Sequence, residues 1–242
     1  MLRMPIGTFI NMLAVILGSS LGLMFEQFMS AEIQTILFQA VGLGVLLMGI
    51  GLGLKIADSY LLLLIFALIL GGIVGQLCHL DLLLEDAASR VKTAFQFADP
   101  RFTDGMVTAF MVFCVGSLTI VGAIDEGLTG NRKMLSVKAM IDGMVSIAFA
   151  SSMGVGVMFS VIPMLIFQGG LTLLAGKVRR LFTEEIVSLI SATGGVLIMA
   201  IALNVLEITE INAVNLMPAL VLVVLLSVLR TKFMAVLDAK RG

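Results

Sequence analysis

The chain has 242 residues, 60% of them hydrophobic and 13% charged, with a mean hydropathy of +1.14. Soluble domains carry about 45–50% apolar residues, so a soluble core is excluded. The net charge of −1 by itself says nothing about nucleic-acid or acidic partners, and no nucleic-acid partner is expected because the basic residues are sorted among loops rather than gathered in a patch. At roughly 20 residues per crossing, the length allows about seven to nine membrane helices.

Apolar runs broken at charges and turn residues predict spans over 5–25, 33–54, 60–79, 104–124, 138–158, 161–176, 185–206 and 212–230. The first, which follows Arg3, also has the outline of a signal peptide. It is read as a span because a later segment repeats its pattern. Between the third and fourth spans, Asp81 to Phe97 places apolar residues on one helical side and charges on the other, the pattern of a helix lying along the membrane surface.

The positive-inside rule tests this count, since one span more or fewer would move every later loop to the other side. Twelve basic residues fall on the side of the N-terminus: Arg3, Lys55, Arg132, Lys133, Lys138 and Lys177, then Arg179, Arg180, Arg230, Lys232, Lys240 and Arg241. Only Arg90, Lys92 and Arg101 fall opposite. The expected fold is therefore an all-α polytopic protein of about eight transmembrane helices, in one membrane domain over 1–242. It sits in the inner (plasma) membrane with both termini cytoplasmic. Tryptophan is absent and Tyr60 is the single tyrosine, so interfacial anchoring rests on basic residues and phenylalanine.

Three segment pairs suggest an internal repeat. Val45 to Leu52 (VLLMGIGL) recurs as Val196 to Leu203 (VLIMAIAL). Pro5, Phe9, Leu13 and Gly18 in the first span match Pro163, Phe167, Leu171 and Gly176 in the sixth. DGMVTA at Asp104 matches DGMVSI at Asp142, each followed by a glycine, Gly116 and Gly154. Spans one, two and four thus pair with six, seven and five, and each pair differs by an odd count, so its members run in opposite directions. That is the inverted-topology repeat of many secondary transporters, with halves at 1–125 and 126–242 and a site near the midplane.

FCVGSLTIVGAIDEGLTGN (Phe113 to Asn131), then KAMIDGMVSIAFASSMGVGVMFS and IFQGG, resemble the bacterial membrane family named domain of unknown function 554, over nearly the whole chain. That family often has a proline after the FCVG glycine, where this chain has Ser117. The resemblance implies a multi-span bacterial membrane protein and supplies no catalytic residues.

Candidate site residues come from the spans' own composition. Gly116, Ser117 and Thr119 are expected at the centre of the fourth span, and Ser151, Ser152 and Gly154 at the centre of the fifth. Small and hydroxyl residues there allow a helix to unwind beside a cavity, or to pack closely against another. Asn11 and Gln168 fall one position apart when the first and sixth spans are superposed, so both are expected to face one interior. Asp104, Lys138 and Asp142 are expected near the mouths as gating or coupling charges. Asp125, with Glu126 and Asn131, forms an acidic turn suited to a cation.

Cys78 and Cys114 lie in apolar stretches without a CxxC, so neither a disulfide framework nor a metal site is expected, and no motif calls for a cofactor. These features point to a membrane transporter of a small solute or ion working by alternating access. A channel of the same symmetry is the alternative, and an embedded enzyme or a structural protein a more distant one. The expected partners are the lipid bilayer and that solute or ion, with self-association through small residues open.

Overall fold

The computed structural model describes residues 4–26, 28, 30–97, 99–114, 117–178 and 182–239, and holds helices and turns with no strand among them. The helices in chain order are α1 (Ile6–Glu26), α2 (Ala31–Gly53), α3 (Asp58–Leu77), α4 (Leu80–Ala94), α5 (Phe102–Cys114) and α6 (Ser117–Thr129). Then come α7 (Lys133–Met153), α8 (Gly156–Phe159), α9 (Val161–Met164), a π-helical turn (Leu165–Gly169), α10 (Gly170–Val178), α11 (Glu184–Val205) and α12 (Ala219–Ala239). Among the described residues, six stretches are long and apolar enough to cross a membrane: α1, α2, α3, α7, the composite over Gly156–Lys177, and α11, with the bent α5–α6 pair a seventh if taken as one span.

Directions follow from contacts. Gly7 faces Leu135 near the start of α1 and α7, and Gly22 faces Ile147 near their ends, so these two helices run parallel. A Cβ at Gly18 would collide with the carbonyl oxygen of Gly143, which is why α1 and α7 approach so closely. At the far end, Arg101 ahead of α5 donates to Glu26 at the end of α1 (2.6 Å) and to the Ser152 carbonyl at the end of α7 (2.9 Å). At the near end, Glu126 of α6 accepts from the Gly7 backbone N–H at 2.7 Å. The α5–α6 pair, bent by 63° at its break, therefore reaches from one end of α1 to the other. An α-helix of 21 residues is about 30 Å long, the thickness of a hydrocarbon core.

The core is built around α11, 78% buried against 22% for α3. Outward faces such as Leu62, Phe66 and Ile73 on α3, or Met140 and Met144 on α7, are exposed and apolar, as lipid contact requires. α4 carries the amphipathic segment anticipated from the sequence. Its Ala88 is buried against Phe102 and Met106.

Three boundaries differ from expectation. The helix expected over 138–158 begins at Lys133 and stops at Met153, because Gly154 turns the chain at φ +75°. The sixth span starts earlier, at Gly156, and is segmented because Pro163 has no N–H to give and crowds the carbonyl four residues back. The last helix starts at Ala219 rather than 212. The chain before it turns instead, with Asn204 exchanging hydrogen bonds of 2.7 and 2.8 Å with the Ile211 backbone.

Candidate functional site

Lys133 opens α7, so Lys138 and Asp142 lie within the helix, not at its mouth; Asp142 is the tenth of its 21 residues. One turn apart, their side chains form an ion pair and are only 6% and 9% exposed. A lone charge at that depth costs about 2.5–3.5 kcal/mol on insertion scales, so neither group is tolerated there without its partner. Asn11 on α1 donates through Nδ2 to Asp142 Oδ2 (2.9 Å) and Gln168 Oε1 (3.2 Å). Gln168, on the π turn, donates to Thr8 Oγ1 at 3.3 Å. Met164 Sδ lies 3.5 Å from Asn11 Nδ2.

The cluster therefore joins α1, α7 and the broken sixth span, and brings together four expected residues: Asn11, Lys138, Asp142 and Gln168. It is incompletely satisfied: Asn11 Oδ1 is buried with no partner. An acceptor left so in a low-dielectric interior costs about 1–3 kcal/mol. The π turn points to function, since such turns concentrate at functional sites. Phe113 stacks on Phe149, 5.9 Å between ring centroids, on the Arg101 side of Asp142 along α7. Cys114, fully buried, lies within electrostatic reach of both members of the ion pair.

Other expected residues lie apart. Ser151 and Ser152 sit in the last turn of α7, not at mid-span, and return their hydroxyls to the carbonyls of Ala148 and Phe149. Gly154 is the turn after that helix and has no room for a Cβ against Asp99. Arg101 caps the same helix end, where a cation meets the negative pole of the helix dipole. Burial opposes its charge, but the Glu26 and Asp99 carboxylates more than offset this and raise its pKa. Gly116 lies outside the described residues, as does the side chain of Ser117. The bend of the fourth span falls at this position, and Thr119 crosses it by donating to the Phe113 carbonyl at 3.0 Å.

The acidic turn is engaged in part by the protein's own donors, while Glu126 Oε2 is buried without a hydrogen-bond partner. Asp125 accepts from the Thr129 hydroxyl and Asn131 from the Lys133 N–H. Glu126, 1% exposed, accepts from Gly7 and lies 3.4 Å from Arg132 Nε. Thr8, Met164 and this buried role of Glu126 were not expected.

Asp104 lies at the Arg101 end of α5 and lines a cavity of about 1280 Å3 between α4, α5, α11 and the connection to α12. Met153 shares that cavity, and eleven residues, roughly 16 Å of helix, separate it from Asp142. Asp104 and Asp142 thus do not form a carboxylate pair.

The family model described as a protein of unknown function, DUF554, matches residues 6–228. The chain belongs to the DUF554 family. It is 32% identical over 218 residues to an uncharacterised membrane protein, YdfK, of Bacillus subtilis, covering 89% of this chain and 93% of that one. It is 33% identical over 237 residues to an uncharacterised protein, YqgA, of Escherichia coli, covering 96% and 100%. No solved structure matches the chain with significance. With its apolar helices, this DUF554 member is an all-helical, multi-pass membrane protein.

Proposed function

We propose that the protein is a transporter of a small solute or ion, and that the Lys138–Asp142 pair with Asn11 and Gln168 is its substrate or coupling site. The carrying observation is a buried ion pair half-way along a membrane helix, beside an orphaned amide oxygen and a π turn. Intramembrane charges of this kind mark ion and solute pathways. An ion or solute entering the cluster competes for one member of the pair, and that exchange gives two states of differing contacts, as alternating access requires.

The reading includes an eight-span inverted repeat, and the helix packing is compatible with it. α12 lies antiparallel to α3, with Gly75 against Asn215 at one end and Arg230 stacked 4.2 Å over the Tyr60 ring at the other, so it fits an eighth span. Helices related by a two-fold axis in the membrane plane must be antiparallel and meet at equivalent positions. α2 and α11 run antiparallel, touching from Gly42 at Leu206 to the Lys55 carbonyl at Ser188. The middle of that contact lies within a turn of the equivalence between Val45–Leu52 and Val196–Leu203. The Asn11–Gln168 bond joins near-equivalent positions of the first and sixth spans. This reading has halves at 1–125 and 126–242; with Lys138 inside α7 rather than in a loop, the remaining basic residues sort eleven to three, which favours both termini in the cytoplasm, with the inner membrane as location. The protein is a carrier and not an enzyme, with the bilayer and the solute as its partners.

The test is current from proteoliposomes on a solid-supported membrane, challenged with inorganic ions, amines and amino acids. Saturable current that disappears in Lys138→Met with Asp142→Leu supports the carrier. Unitary conductance steps from the wild-type protein, or current unchanged in that double variant, would overturn it.

A further inference from the structure

We propose that the 1280 Å3 cavity at the Arg101 end binds an organic cation carrying two or more separated ammonium groups. Five carboxylates line it, Asp81, Glu85, Asp104, Glu207 and Glu210, against one basic residue, Arg101. That guanidinium is already engaged by Glu26 and Asp99, which lie outside the lining, and by the Ser152 carbonyl. None of the five carboxylates makes an ion pair among the described residues. Walls of low dielectric focus such uncompensated charge and concentrate cations.

Thr108 is an independent sign of an occupant. It stands one turn after Asp104 on α5, lines the same cavity, is 5% exposed, and has no hydrogen-bond partner among the described residues. A helical threonine ordinarily bonds back to the carbonyl four residues earlier; this hydroxyl does not. A carboxylate and a free hydroxyl on one helix face accept the donors of one ammonium group.

The chemistry favours an extended organic cation over a metal ion. No three His, Cys, Asp or Glu among the described residues gather closely enough to hold a metal, and a bare divalent cation needs about six oxygens around it. The carboxylates are instead dispersed around a large volume, with Val107, Ile201 and Val205 between them. That spacing suits ammonium groups joined by methylene chains, which lie on apolar surface while their charged ends reach acceptors.

Binding is read without turnover, so this inference stands or falls separately from the transport reading. Spermidine serves as the probe, titrated by calorimetry into the full chain in phosphatidylcholine nanodiscs, with Mg2+ at matched ionic strength as the comparison. Saturable spermidine binding is expected, weakened about tenfold by Asp104→Asn, reduced by Thr108→Val, and unmoved by Glu32→Gln, an exposed acid outside the cavity. Glu210→Gln lies on an exposed connection and tests the same site if the α5 variants fail to fold. Absence of saturable binding, equal binding in the cavity variants, or equal binding of Mg2+ would overturn the proposal.

Discussion

Asn11 and Asp142, 131 positions apart in sequence, share a 2.9 Å hydrogen bond inside the bundle, and the same carboxylate oxygen receives Lys138. Asp142 is thus held from two helices, and each partner's removal has its own consequence.

Lys138→Met leaves a buried carboxylate with the Asn11 amide alone and is expected to destabilise the protein by about 3–5 kcal/mol. Adding Asp142→Leu removes the stranded charge and restores most of that loss, because a buried pair contributes little net stability over well-packed apolar residues. Denaturation of the two variants in detergent, followed by tryptophan-free near-UV absorbance or by scanning calorimetry, checks the order. A double variant less stable than the single one contradicts it.

The parallel packing of α1 on α7 depends on Gly18. Gly18→Val forces a side chain onto the Gly143 carbonyl and is expected to cost about 1–3 kcal/mol or more. Gly176→Ala, where a Cβ meets open space, is expected to be neutral or to stabilise by up to about 1 kcal/mol through helix propensity. Melting temperatures of the purified variants separate the two.

Much of this site was legible before its geometry was known, and the reason is physical. Charges and amides inside apolar runs are costly, so Asn11, Lys138, Asp142 and Gln168 stood out against their spans. Depth was not legible. Lys133, Ser136 and Lys138 resemble a loop by composition, yet α7 opens at Lys133, and the early start carries Asp142 to mid-helix. Ser151 and Ser152 moved the other way, to the helix end, because Gly154 ends α7 where hydropathy continues. The bend at Cys114 to Ser117 was foreshadowed by small residues. The Arg101 cap was not, since its partners Glu26, Asp99 and Ser152 come from distant segments.

The Phe113–Phe149 stack lies between the Arg101-end cavity and the ion pair. In the wild type, exposed Cys78 is expected to react with a soluble thiol reagent and buried Cys114 to remain protected. Phe149→Ala opens the stack and is expected to make Cys114 reactive from the cavity side. Mass spectrometry of the labelled protein reads both cysteines; a protected Cys114 in the variant would show that the barrier lies elsewhere.

Asp81 ties α4 to the connection before α12 by accepting from Asn212 at 2.7 Å. The Leu82 backbone N–H first, then Asn212 and Asn215, hold its carboxyl below the usual carboxylate pKa against opposing desolvation. A lowered folded-state pKa contributes stability above the unfolded value, about 3.9, and loses it as pH falls through the folded one. Hydrogen-exchange protection of residues 206–218, corrected for intrinsic rate, is expected to fall with acidification below about pH 4. Asp81→Asn is expected to flatten that dependence.

The central claim is that the cluster around Asp142 faces each side of the membrane in turn. Met164→Cys, with Cys78→Ser and Cys114→Ala, puts a thiol where a buried sulfur already touches Asn11. It is to be labelled with a membrane-impermeant maleimide in right-side-out and in inside-out vesicles. Slow labelling from both sides, in vesicles that stay impermeable to the reagent, is the predicted result. Labelling from one side only, from neither, or only in vesicles that leak the reagent would contradict alternating access.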